Sequence, residues 1–548
     1  MSKNKLYISI YFLIGFVTIL GLFLDIMAPD GALYASIAKT MSENNDFINL
    51  YSLGKDWLDK PHMPFWLSAF SFKLFGINNF AYKFPAVLIF FYGVWITYKF
   101  TKENYNKETA ILASLILSTS LHSVISNFDV RAEPFLTAFI IASVYYFYQY
   151  INNRQLKHLI IGCLFAAFSL MTKGIFTLIP IIAALGGELI VKRNWKTLLS
   201  PIWLLAFTVV LIFTIPELYT LYQQFDLHPE KIVFGKNNVS GIKFFFWDSQ
   251  FGRFFNTGPI VIGNGSVFFF LHTILWAFLP WGFLFYIATF LKIKRNLKKV
   301  NKQEEFYSIF AALAAIIVFS VSKFQLAHYT NIIFPFMAII TADFIYKLKS
   351  KYQKLQKTYT AIQLAISTII LILIPVIFYL MIESINPLFI IITIAAIFLI
   401  FQTIKNTQID KVEKIFIICS TSLLIVYSFL MTSFYPTLLK YQGGTYAARH
   451  VNEKFKNINI FKNDQGDFAF ELYNNKPLNR VDLKEISKYK GQNFYASSNQ
   501  IELLKQQKIK FQLIETFNNF RITKLNIQFV NKNTRENVIN KTYLITII

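Results

Sequence analysis

About thirteen stretches of this chain are apolar for close to the length that carries an α-helix across a bilayer, roughly 20 residues. They fall at 6–24, 80–100, 110–126, 134–151, 159–171, 175–191, 200–216, 267–291, 306–321, 327–346, 359–381, 387–401 and 415–434. The two on either side of Lys173 also read as one kinked helix, and 64–75 reads as a surface helix. With 55% hydrophobic residues, the chain exceeds the roughly 45–50% usual in soluble domains. These features predict an integral membrane protein. The net charge of +24 raises nucleic-acid binding, but Lys and Arg recur as short clusters between apolar runs, as loop charges do, and the aromatic residues sit inside those runs. No nucleic-acid partner is expected. Cys163 and Cys419 both lie in apolar runs, which excludes a disulfide framework. No small-residue cleavage site follows Leu24, so the first apolar run reads as a retained span rather than a signal peptide.

Short cytoplasmic loops are enriched in Lys and Arg, and this sets the orientation. One alternate set of connections carries Lys3 and Lys5, Lys102 and Lys107, Arg154 and Lys157, Lys192 with Arg193 and Lys196, the cluster 292–299, the run from Lys347, and Lys405 with Lys411 and Lys414. The opposite set holds only the isolated Arg131, Lys173 and Lys323. The N-terminus is therefore expected in the cytoplasm and the segment after Tyr435 outside. That segment loses long apolar runs and gains alternating stretches, F-A-F-E-L-Y, K-F-Q-L-I-E-T and K-T-Y-L-I-T-I, with helical signals near 502–507. The expected fold is an all-α polytopic membrane protein with about thirteen transmembrane helices. Its membrane part covers 1–434 with outer loops 25–79 and 217–266, and a small α/β soluble domain follows at 435–548.

The outer loops concentrate the chemistry. Asp25, Asp30, Asp59, Lys60, Asp129, Arg131, Glu133, Lys173, Arg253 and Lys323 come from distant parts of the chain yet share one face. A phosphate leaving group needs cations against its developing charge, and an acceptor hydroxyl needs a carboxylate to take its proton. Each residue also has a structural reading. Asp30 after Pro29 is a candidate helix N-cap, Asp59-Lys60 before Pro61 a solvated turn, Asp129, Arg131 and Glu133 a self-paired cluster, and Lys323 a snorkelling lysine. Lys173 either snorkels or meets an anion. His122 and His272 read as packing residues. The aromatic-rich loop around K-F-F-F-W-D suits the membrane interface, as an anchor or as a wall of a lipid-substrate cavity.

The runs P-D-G-A-L-Y-A-S-I-A-K-T-M and D-K-P-H-M-P-F-W, with V-R-A-E-P-F, M-T-K-G, W-x-F-L-P-W and S-K-F-x-x-x-H-Y-x-x-x-x-F-P, resemble the GT-C membrane glycosyltransferases. That group includes the lipid A aminoarabinose transferases and, more distantly, the protein O-mannosyltransferases. The resemblance implies transfer of a sugar from a polyprenyl-phosphate donor to a lipid A, glycan or protein acceptor, at the outer face of the inner (cytoplasmic) membrane. It implies Asp30 as base, Asp59 in the place of that family's glutamate, Lys60 on the donor phosphate, and Glu133, Arg131, Lys173, Arg253 and Lys323 as further substrate-binding residues. Gly31 stands where the family carries a second carboxylate, and Ser249-Gln250 stands where the aminoarabinose transferases have Glu-His ahead of Arg-Phe. A divalent metal is thereby left open. The rival readings are a lipid-linked saccharide transporter or flippase, for which repeated halves and midplane charges are missing, and a membrane scaffold.

Overall fold

The computed structural model describes residues 1–261, 263, 265–298, 300–461 and 466–548, without the side chain of Lys298. Lys299 of the last large basic cluster, two positions of the second outer loop and 462–465 of the C-terminal segment lie outside the described residues.

Among the described residues, nine helices are long and apolar enough to cross a membrane. A tenth is the pair Lys107–Thr119 and Leu121–Phe128, bent by 53°. Two further expected spans, Ile175–Val191 and Tyr307–Val321, form shorter apolar helices. The stretch 267–291 is divided between Phe269–Ala277 and Gly282–Lys298, because Pro280 lies between them with no N–H to donate and a ring that crowds the preceding turn. Around Lys173 there are two helices rather than one kinked one. Lys173 ends the first, and Gly174 follows at φ +99, a conformation that favours glycine. The chain is thus a multi-pass membrane protein.

Two contacts position the loops that carry the candidate residues. Gly93 lets the helix Asn79–Asn104 meet the helix Glu133–Asn153 backbone to backbone: a Cβ there would lie 2.7 Å from Ala138 Cα. Small residues at such crossings are how membrane helices approach closely. Lys83, fully buried, donates to the carbonyls of Gly21 (3.0 Å) and Leu24 (2.8 Å) and lies 4.3 Å from the Phe128 ring centroid. It thereby satisfies the carbonyls that the first helix leaves unpaired at its end and fixes where the first loop begins.

That loop holds the helix Asp30–Asn44, a two-stranded hairpin (Tyr51–Ser52 with Lys55–Asp56) and the expected helix Met63–Phe75. The C-terminal segment forms a five-stranded mixed sheet in the order Leu478–Val481, Ile458–Phe461, Asn493–Ser497, Asn540–Ile547, Phe511–Asn519. The first three strands are parallel, and the last two pairings are antiparallel. F-A-F-E-L-Y, one of the alternating stretches, is the helix Phe468–Tyr473. Asp467 caps it by accepting from the N–H groups of Ala469 and Phe470, and Phe470 stacks on Tyr495 at 4.0 Å. Alternation alone does not resist a good N-cap. Lys39 of the first loop donates to the carbonyls of Leu472 and Asn474, at 3.0 and 2.5 Å, and Arg449 pairs with Asp25. The sheet is therefore held over the first loop.

Filling the Gly93 contact with Gly93→Val is expected to cost about 1–3 kcal/mol by overpacking. The check is thermal unfolding in detergent beside Gly15→Ala, which meets nothing within 4 Å and should melt like the native protein.

Candidate functional site

Asp30 opens its helix but does not cap it: Pro29 is the N-cap residue, and no side-chain cap bond forms. Its carboxylate, half exposed, instead accepts from Arg131 Nη1 at 2.6 Å. Arg131 also donates to Asp129 Oδ2 through Nη2 (2.5 Å) and Nε (3.1 Å). One guanidinium therefore bridges two carboxylates. Burial opposes the charge on Arg131, but Asp129 and Asp30 together raise its pKa. Burial pushes the Asp129 carboxyl up against the pull of Arg131. Gly31 proves essential to this packing, because a Cβ there would lie 2.9 Å from Asp129 Oδ1. A carboxylate from Asp129 thus occupies the space beside Asp30 that a side chain at position 31 would take.

Glu133 does not join that cluster by hydrogen bond. It is buried and accepts from Lys173 Nζ at 2.6 Å, with His328 Nε2 3.6 Å away. Lys173 also lies 4.2 Å from the Tyr329 ring centroid, so its charge has both a carboxylate and an aromatic face. Gly174 is doubly required, since any side chain there would collide with Gln250, whose Nε2 donates to the Lys173 carbonyl at 3.3 Å.

Asp59 is the third node. Lys60 Nζ donates to it at 2.7 Å, and Arg253 pairs with its other oxygen. Burial would raise the Asp59 pKa, but Lys60 and Arg253 bring it below the ordinary value. Burial and the nearby Arg253 charge push Lys60 down to about 8. The turn carrying both residues is tied down by His62, which is fully buried. Its N–H donates to Glu217 Oε2 at 2.9 Å, its Nδ1 lies 3.0 Å from Oε1, and its Nε2 lies 2.9 Å from the Ile48 carbonyl. The Asp59-Lys60 pair is thus built into a buried bracket rather than a free turn.

Lys173, Arg253, Ser249, Gln250, Phe324 and Tyr329 line one cavity of about 70 Å³. Ser249 and Gln250 also line a smaller one, of about 10 Å³, with Asp59, Lys60 and Glu217. Beside them lies an apolar cavity of about 570 Å³ whose wall includes Leu170, Ile175, Leu178, Phe207 and Phe246. Phe246 belongs to the K-F-F-F-W-D run, so that loop walls a cavity as well as exposing Trp247 at the surface. Tyr34, four residues after Asp30 and so on the same helix face, is buried and lies within electrostatic reach of Asp59, Glu133, Asp30 and Arg131. Burial raises its phenol pKa, and the Asp59, Glu133 and Asp30 carboxylates raise it further.

Seven of the eight expected site residues therefore fall into three ion-paired groups: Asp30 with Arg131, Glu133 with Lys173, and Asp59 with Lys60 and Arg253. Lys323 stands apart. Its side chain is exposed, and its backbone braces the second loop, N–H to the Phe254 carbonyl and C=O to Gly265 N–H. Tyr34, His62, Glu217, His328 and Tyr329 belong to the arrangement and were not singled out from sequence. The H-Y pair within the S-K-F-x-x-x-H-Y motif was the available signal for the last two. As for a metal, no three His, Cys, Asp or Glu side chains converge among the described residues, and the free side of Asp59 is filled by a guanidinium. The donor set does not fit a divalent ion, and no step below uses one.

A profile of the dolichyl-phosphate-mannose-protein mannosyltransferases matches residues 59–219. An uncharacterized protein of Aquifex aeolicus is 27% identical over 349 residues, 63% of this chain and 64% of that protein. The undecaprenyl phosphate-alpha-4-amino-4-deoxy-L-arabinose arabinosyl transferase of Wigglesworthia glossinidia brevipalpis is 26% identical over 338 residues, 60% of this chain and 56% of that one. The chain thus spans between half and two thirds of the length of these curated relatives. Among solved structures, ArnT from Cupriavidus metallidurans, crystallised with undecaprenyl phosphate, aligns with a TM-score of 0.74 over 99% of this chain and 98% of its own, at 14% identity. The architecture is therefore that of ArnT. The chain resembles the GT-C membrane glycosyltransferases, as its first-loop motifs implied.

His62→Ala would leave the Glu217 carboxylate buried without its ring partner, a loss of about 1–3 kcal/mol. Hydrogen exchange across 58–62 should rise in this variant and the apparent melting temperature should fall; unchanged exchange would show that His62 does not hold the turn.

Proposed function

We propose that this chain is a polytopic glycosyltransferase that moves a sugar from a polyprenyl-phosphate donor to an acceptor at the outer face of the inner membrane. Its N-terminus lies in the cytoplasm, thirteen segments cross or enter the bilayer, and 435–548 covers the site from outside. The observation that carries this reading is the convergence of Lys60, Lys173 and Arg253 around adjoining cavities, next to an apolar cavity suited to a lipid chain. Similarity to the arabinosyl transferases and the shared ArnT fold support it.

The donor is a phosphodiester bearing one negative charge. Its polyprenyl chain lies in the apolar cavity, and its phosphate displaces carboxylates from Lys60, Arg253 and Lys173. As the bond between the anomeric carbon and the phosphate oxygen breaks, the leaving polyprenyl phosphate gains a second negative charge, which these cations stabilise more strongly than the ground state. The acceptor oxygen bonds to the anomeric carbon from the opposite face, inverting it, and its proton passes to Asp30. Arg131 orients that carboxylate. A strong base is unnecessary, because the acceptor hydroxyl becomes acidic only as its oxygen bonds to carbon.

Asp30→Asn should reduce transfer of labelled sugar by about 10²–10⁴-fold with donor binding intact; near-native turnover would sink the assignment. The charge of Lys60 is complete well below its pKa of about 8 and is lost as the pH rises through it. Affinity for polyprenyl phosphate should therefore fall above pH 8, bound phosphate shifting the break upward, and Lys60→Arg should flatten the dependence. A flat native profile over that range would remove Lys60 from the phosphate site.

A further inference from the structure

The most exposed large apolar side chain among the described residues is Ile527, at 86%, and it lies in the C-terminal segment rather than in a span. Leu525 beside it is also exposed. Apolar surface left in water forgoes the stabilisation of burial, so what Ile527 faces depends on where its segment is fixed. Two bonds fix it. The Lys532 N–H donates to the Leu380 carbonyl at 2.8 Å, and Arg535, buried, donates through Nη2 to the Met381 carbonyl at 3.2 Å. Leu380 and Met381 end the helix Gln356–Met381, one of those long and apolar enough to span, and few of its side chains are buried. That helix faces lipid along most of its surface. The segment 521–538 is therefore seated on the end of a lipid-facing span.

The seat is rigid. Arg535 also donates through Nε to the Phe529 carbonyl at 2.8 Å and through Nη1 to Tyr441 Oη at 2.9 Å. Phe529 is fully buried and stacks on Phe520 at 3.9 Å, and Asn526 accepts from the Phe529 N–H at 2.7 Å. With Phe529 turned inward, Ile527 is left on the open side of its turn. Lys532 marks the level at which this happens. Its Nζ lies 5.8 Å from the ring centroid of Tyr379, which is 76% exposed in the last turn of the span. A tyrosine at the end of a lipid-facing helix belongs to the aromatic belt of the membrane interface. The charge of the segment suits that level. Between 521 and 541 stand Arg521, Lys524, Lys532, Arg535 and Lys541 against the single acid Glu536, with Glu383 in the turn after Met381. Arg521, Lys524 and Lys532 are exposed. Apolar side chains flanked by exposed cations suit an interfacial segment, the first in the acyl boundary and the second among anionic headgroups.

We infer that the segment 521–532 is a wedge seated in the membrane surface: Ile527 and Leu525 enter the leaflet beside the span, and Arg521, Lys524 and Lys532 hold the headgroups of anionic phospholipids there. The occupant is a lipid surface because the segment is bonded to the end of a helix whose flank already faces lipid, and because its exposed charge is positive. The inference goes beyond the transferase reading and does not depend on it. Lys39 and Arg449 hold the C-terminal sheet to the first loop. The wedge gives the sheet a second hold, on the leaflet itself.

The test places a bimane fluorophore on Ile527→Cys in the full chain. Both native cysteines are buried, and the unsubstituted protein reports any labelling of them. In nanodiscs, phospholipids spin-labelled near the headgroup should quench the probe. Aqueous iodide should quench it far less than a probe on Leu513→Cys, an exposed site near the opposite end of the strand Phe511–Asn519 that leads into the segment. Leu525→Cys should behave as Ile527→Cys does, so a folding failure in one variant leaves the other. In mixed micelles, spin-labelled phosphatidylglycerol should quench at a concentration at least about fivefold lower than phosphatidylcholine, the effect of one basic residue near an anionic surface. Combining Arg521→Gln, Lys524→Gln and Lys532→Gln should erase that preference with the melting temperature unchanged. Three outcomes overturn the inference: free iodide access at 527 without lipid quenching; protection from iodide without lipid quenching, as a second copy or a protein partner would give; or equal quenching by the two lipids.

Discussion

An ionised group in a site walled by membrane helices must be paired, because the alternative is several kcal/mol of lost hydration. The loop charges obey this with four carboxylates and four cations in alternation: Asp30, Arg131 and Asp129; Glu133 and Lys173; Arg253, Asp59 and Lys60. No node has an independent position. Removing Arg131 would release two carboxylates, and removing Asp59 would leave two cations facing one another. Such a balanced set is neutral at rest, so an incoming phosphate competes with internal carboxylates instead of falling onto bare charge. In the proposed reaction this favours the state with the most negative charge on the phosphate, the departing one.

Holding that network takes a frame that does not shift, and the frame is assembled from backbone carbonyls as much as from apolar contacts. Helix ends expose unpaired carbonyls. Lys83 answers those of the first span, and Lys39 answers those of the helix Phe468–Tyr473. Both lysines are buried, and each joins segments far apart in sequence. Gly93 and Gly174 contribute by absence of a side chain, one at a helix crossing and one under Gln250. Bulk at either would move Glu133 or Lys173, which face each other across 2.6 Å.

The apolar runs, and the gathering of these charges in the connections between them, were legible because hydrophobic run length and loop charge are one-dimensional quantities. Which acid meets which base was not. Asp129, Arg131 and Glu133 read as a local trio, yet Glu133 begins a helix that turns it toward Lys173, while Arg131 reaches back to Asp30. Tyr34 was hidden because a tyrosine four residues along an apolar helix reads as packing; only its neighbours give it a role. His62 was hidden because its partner Glu217 lies 155 residues away. The helix at F-A-F-E-L-Y was hidden as well: a period-two pattern over six residues is weak, and the cap from Asp467 decided it.

In the proposed reaction, the cations lining the adjoining cavities must release the phosphate they bind. A lipid phosphate is shared by donor and product, so cations that bind it tightly in the ground state would slow its departure; pairing each cation with an internal carboxylate tempers that grip.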